Sequence, residues 1–167
     1  MTGQSDSHRQ ASLAGRIHSR IAEHARLREL CDRLEAIADH LPALPEGGSQ
    51  CLMGELSALL RQREEDNLLD MLLYLRDPTG TRQALAARIR SQQVTDLVHA
   101  QDLGVALAEA KGGDAASLGY MLRCFFLGCR RALAFEELAI LYLGGDTEPG
   151  IGMNIGAAIA PRDGRMD

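Results

Sequence analysis

The chain has 167 residues, of which 46% are apolar, only 4% aromatic and none Trp, so one domain is expected, with a core filled by Leu and Ala as in helix-on-helix packing. A net charge of −5 with both signs interspersed offers no basic face, which argues against a nucleic-acid-binding surface. No run reaches the roughly 18 consecutive apolar residues of a membrane helix, and the polar start MTGQSDSHRQ lacks the apolar centre of a signal peptide, so a soluble cytoplasmic protein is expected.

Residues 1–11 read as a flexible polar tail, and Ser12 is a plausible N-cap for a first helix that runs to about Leu41, where Pro42 and Pro45 stop it. Its apolar stripe is Leu13, Ile17, Ile21, His24, Leu27, Cys31, Leu34, Ala38 and Leu41, in helical steps of three and four. After the loop PALPEGGSQ a second helix is expected from Ser49 or Gln50 to about Leu75, ahead of the turn Asp77-Pro78-Thr79-Gly80. Stepping back from Leu72 places Leu68, Glu65, Arg61 and Ala58 on its inner face. The third helix is expected from about Thr81 to Ala110, with Leu85, Ile89, Gln92 or Gln93, Asp96, His99 or Ala100, Leu103, Ala106 or Leu107, and Ala110 inward. The fourth spans about Ala115 to Leu143 with Leu118, Leu122, Phe125, Cys129, Ala132, Glu136, Ala139 and Leu143 inward, and Gly144-Gly145 closes it. Residues 144–167 hold six Gly and two Pro and form a Gly-rich tail whose apolar patch GIGMNIGAAIA is able to fold back or meet a partner. Four long amphipathic helices with short connections over residues 12–143 predict an all-α, up-down-up-down antiparallel four-helix bundle.

Each predicted stripe carries one ionisable residue at an apolar position: His24, Glu65, Asp96 and Glu136. A core-facing charge is costly unless it is paired or bound to a metal, so four of them, one per helix, point to a site built across the bundle. Each also has a plainer reading. His24 fits a half-buried histidine bonded to a neighbouring helix, Glu65 lies in the acidic run Glu64-Glu65-Asp66, and only one of Glu136 and Glu137 can face inward. The cysteines Cys31, Cys51, Cys124 and Cys129 form no C-x-x-C pair and read as reduced core thiols. No G-x-S-x-G, Walker loop or H-E-x-x-H is present.

The runs HARLRELCDRLEAIADHLP, REEDNLLDML, QQVTDLVHAQDL and LGYMLRCFFLGCRRALAFEELAIL, in this order over about residues 18–143, resemble bacterial hemerythrin-like (HHE cation-binding) proteins. The resemblance implies a hemerythrin-like bundle with a non-haem iron pair held by His and carboxylate side chains. It implies metal-ligand positions at His24, Glu65, Asp96 and Glu136. It also implies that Arg61, Gln93 and Ala132 stand where such proteins carry His; His99 is an alternative match on the third helix. Ala132 supplies no donor atom, and Arg61 cannot deprotonate and repels a divalent cation while pairing with carboxylates. Arg61 is then expected either to set its guanidinium in place of the lost metal or to snorkel outward along the helix. Two functions follow as expectations: a non-enzymatic regulatory or interaction protein, with a protein partner or homodimer, or a cation- or oxygen-responsive sensor that retains a reduced iron site. A di-iron carboxylate enzyme needs two Glu-x-x-His pairs, which this chain lacks.

Overall fold

A computed structural model describes residues 3–43, 48–66, 68–69, 80–109 and 115–145. Four helices account for nearly all of them: α1 (Gly3–His40), α2 (Gly48–Glu65), α3 (Thr81–Glu109) and α4 (Ala115–Gly145). Each helix packs on its chain neighbours, and α4 closes the ring on α1, giving the expected antiparallel four-helix bundle. The helix α1 starts at Gly3, ahead of the expected cap at Ser12, because the polar stretch before Ser12 contains no proline to stop a helix. The tail after Gly145 lies outside the described residues.

The buried positions repeat in alternating steps of four and three along every helix. On α1 they are Leu13, Ile17, Arg20, His24, Leu27, Cys31, Leu34 and Ala38; on α4 they are Leu118, Leu122, Phe125, Cys129, Ala132, Glu136, Ala139 and Leu143. On α3 the series is Arg82, Ala86, Ile89, Gln93, Asp96, Ala100, Leu103 and Leu107. A seven-residue repeat of this kind keeps one seam on the neighbouring helices and favours coiled-coil-like packing. His99 and Cys124 are exposed, as is Cys51, so only Cys31 and Cys129 are core thiols. The two lie against each other across α1 and α4 with a thiol–thiol hydrogen bond, which together with burial pushes the Cys129 thiol well up. Gly119 of α4 is a point of close approach: a Cβ there would lie 3.0 Å from Arg123 Nη1 and 3.2 Å from Leu41. Gly104 and Gly128 have room for one.

The second helix departs from expectation in a way that matters for the site. It ends at Glu65, and Asp66 breaks it: the Leu68 amide donates to Asp66 Oδ1 at 3.0 Å, an N-cap bond that restarts the chain in helical conformation at Leu68 and Leu69. A phase carried back from Leu72, itself outside the described residues, therefore does not apply before the break. The true inner face is Leu52, Leu56, Leu59 or Leu60, and Arg63.

Apolar side chains form two zones along the bundle axis. One is large, built from Leu27, Leu34, Leu56, Leu103, Leu122 and Leu133 among others. The other, toward the opposite end, is made of two clusters, one with Leu13, Ile17, Leu68, Ile140 and Leu143 and one with Leu69, Ala86, Ile89 and Ala139. Between them lies a band of buried charge.

Candidate functional site: a buried ionic layer

At this level the seam positions are occupied by Arg20 and His24 on α1, Arg63 on α2, Gln93 and Asp96 on α3, and Glu136 on α4, with Glu137 beside it. All are at most 4% exposed. Arg63 is the hub. Its Nε and Nη2 donate to Glu136 Oε2 at 2.9 and 2.7 Å, and its Nη1 donates to Asp96 Oδ2 at 3.0 Å. One planar guanidinium thus spans two carboxylates from two different helices, the geometry for which its fork of donors is suited. Gln93 Nε2 adds a donor to the same Glu136 oxygen at 3.3 Å, and Gln92 Nε2 donates to the other oxygen of Asp96 at 2.8 Å.

His24 is wedged between two carboxylates of α4. Its Nδ1 is 3.1 Å from Glu137 Oε1, and its Nε2 is 3.3 Å from Glu136 Oε1, the latter without hydrogen-bond geometry. A neutral ring has one N–H to donate; an imidazolium has one for each carboxylate. Arg28 Nη2 donates to the second Glu137 oxygen at 2.7 Å. Arg20 donates from both terminal nitrogens to the Arg63 carbonyl at 3.1 Å and from Nη2 to Asp66 Oδ2 at 2.7 Å, while its Nε lies 3.7 Å from Glu136 Oε1. The end of α2 leaves carbonyls without helical partners, and a cation there both satisfies them and complements the helix dipole. Arg82 repeats the device on α4, donating to the Leu143 carbonyl at 3.0 Å.

Burial alone would push the Glu136 carboxyl up; His24, Arg63 and Arg20 outweigh it and hold the group down at about 2. Glu137 is likewise raised by burial but held at about 2 by its bonds to His24 and Arg28. For Arg63, burial lowers the pKa and the charges of Glu136 and Asp96 more than offset this, so the guanidinium is fixed in its charged form.

Three of the sequence-selected positions, His24, Asp96 and Glu136, meet in this layer, and Gln93 and Ala132 are buried at the same level. The expectations for Glu65 and Arg61 are corrected: both are exposed on the outer side of α2, and the inward arginine is Arg63. Arg20 was missed, and Glu137, the alternative to Glu136 on α4, is buried beside it, so the expectation that only one of the two faces inward is corrected. Arg20 was legible, since 13, 17, 20, 24 and 27 is a cleaner seven-residue repeat than the version through Ile21.

Asp66 serves three partners at once: it caps the restarted helix, pairs with Arg20 and lies 3.3 Å from Arg16. Asp66→Ala is expected to cost about 2 kcal/mol, the upper range of a lost cap, because the buried Arg20 also loses its closest carboxylate and keeps only Glu23 and Glu136, at 3.6 and 3.7 Å. Chemical denaturation against the parent chain measures it, and a change within about 0.5 kcal/mol, typical of a plain surface substitution, would contradict this role.

The residues present do not fit an iron pair. The lone pairs that Asp96 and Glu136 would offer a metal are directed at a guanidinium that cannot lose its proton. Ala132 and the outward Glu65 supply no inner donor, and among the described residues no three His, Cys, Asp or Glu converge as a metal-holding group. Comparisons with protein-family models, with curated proteins and with solved structures found no match for this chain.

Proposed function

We propose that this chain is a regulatory or interaction protein without catalytic activity, built on a hemerythrin-like bundle in which a guanidinium has taken over the position of a metal. The observation that carries this reading is Arg63 bridging Asp96 and Glu136 at the centre of the bundle. A divalent cation entering there must displace a buried arginine from two carboxylates and leave its charge without a counter-ion, a loss of several kcal/mol that few remaining donors offset. The competing reading, a cation- or oxygen-responsive sensor holding iron on His24, Asp96 and Glu136, requires Arg63 to vacate both acids.

Metal analysis after anaerobic incubation with ferrous iron separates the two. The expected result is no stoichiometric iron and a melting temperature unmoved by chelator. Two irons per chain, with an oxo-bridged absorption band developing once air is admitted to oxidise them, would overturn the proposal. So would a single bound ion whose uptake disappears when His24 and Asp96 are both replaced by Ala.

A further inference from the structure

The α4 helix has a second seam, on the side opposite the core. Tyr120, Arg131 and Tyr142 are eleven residues apart, three full turns, so they lie on one line along the helix. Cys124, Leu127 and Leu138 fall beside that line in steps of three and four. These side chains stand in solvent: Tyr120 is 71% exposed, Leu138 65%, Tyr142 53% and Leu127 48%. The stripe is about 33 Å long at 1.5 Å per residue. Large exposed apolar and aromatic side chains aligned on one helix face are the kind of feature that marks an interaction site.

The charges on α4 say what kind of partner fits. Both of its acids, Glu136 and Glu137, turn into the core. Of its three arginines, Arg123 pairs with Asp39, and Arg130 pairs with Asp32 and Glu35. Arg131 has no carboxylate partner among the described residues; its Nε donates only to the Leu127 carbonyl of its own helix, at 3.3 Å. The neighbours one turn away, Leu127, Gly128, Ala134 and Phe135, contain no acid to pair with it. The stripe is therefore apolar at both ends and carries one uncompensated cation at its midpoint.

We propose that this face docks an amphipathic helix of another protein whose apolar stripe holds a carboxylate near its middle. Burying Leu127, Leu138 and the two tyrosines supplies the hydrophobic contact, and the partner's acid neutralises Arg131 as water is excluded; Tyr and Arg are the residue types that dominate such contacts. A second copy of this chain fits badly. Arg131 lies midway between Tyr120 and Tyr142, so an antiparallel two-fold pairing of the stripes sets Arg131 against Arg131. The proposal names a partner for the interaction role argued above. It rests on the α4 surface alone, so the iron measurements and the docking measurements fail independently.

The test uses the full chain and two fluorescent synthetic helical peptides of 22 residues. Both carry Leu along one stripe and differ only at its central position, Glu in one and Lys in the other. Fluorescence anisotropy is expected to show the Glu peptide binding at least roughly tenfold more tightly than the Lys peptide. Arg131→Glu is expected to reverse that preference, and Leu138→Asp, an exposed position, to abolish binding of both peptides with the melting temperature unchanged. Equal affinities, no binding of either peptide, or a preference untouched by Arg131→Glu would each overturn the proposal. A concentration-dependent dimer dispersed by Leu138→Asp would assign the face to a second copy and overturn it as well.

Discussion

Replacing Arg63 with Met is expected to destabilise the protein by about 3–5 kcal/mol, the usual cost of removing one partner from a buried ion pair. The substitution keeps the aliphatic stem and deletes the charge, leaving Asp96 and Glu136 facing each other inside the bundle without their shared donor. Arg63→Lys is expected to recover little, since a single ammonium cannot reproduce a fork that reaches two helices. The triple replacement Arg63→Leu, Asp96→Leu, Glu136→Leu has the opposite sign: with all three charges gone, the desolvation penalty goes too, and stability is expected to be equal to or above the parent. His24 then keeps Glu137, and Arg20 keeps Asp66 and the carbonyl at position 63. Urea unfolding followed by circular dichroism at neutral pH compares all three. A triple variant as unstable as Arg63→Met would show that the layer contributes packing that Leu cannot replace, and would reject the electrostatic account.

Acid is expected to unfold the bundle over a defined range. The Glu136 and Glu137 carboxyls are held at about 2 against an ordinary 4.5, so the unfolded chain binds more protons than the folded one between those values. Stability conferred by these groups is complete above about pH 5, declines as the pH falls through the ordinary carboxylate range, and is gone once the folded groups themselves protonate near pH 2. The two share His24 and do not add independently; together they are worth on the order of 3–5 kcal/mol. Urea midpoints measured from pH 7 down to pH 2.5 should fall steeply below about pH 4.5, and the slope should be shallower in Glu136→Gln, which has one carboxylate fewer to protonate. A flat profile down to pH 3 would be incompatible with the geometry around His24.

Much of this was readable in the residues. The apolar repeats of α1, α3 and α4 set the helices and put His24, Asp96, Glu136 and Ala132 on their inner faces, with Gln93 there as one of two neighbouring glutamines. The failures have physical causes. A helical phase is transferable only within an unbroken helix, and Asp66 interrupts the second one; projecting back from Leu72 moved the inward arginine from Arg63 to Arg61 and promoted Glu65. Starting instead from Leu52 and Leu56 would have reached Arg63. Hydropathy favours Ile21 over Arg20 as a core residue, yet a guanidinium suits a buried site beside the end of a neighbouring helix. Glu137 does not follow from the repeat, because consecutive helical residues do not share one face. Here Glu136 points down the seam, Glu137 lies at the α1 side of it, and His24 reaches both.

The position of the ionic band between two greasy zones also limits how the molecule can move. Sliding α2 by one turn, about 5.4 Å, would drive the Arg63 head into leucine on one side and strand Asp96 and Glu136 against aliphatic carbon. The bundle is keyed like a lock with a single notch. Piston-like shear along its axis is closed to it, and deformation is left to bending of the rods or unravelling at their tips.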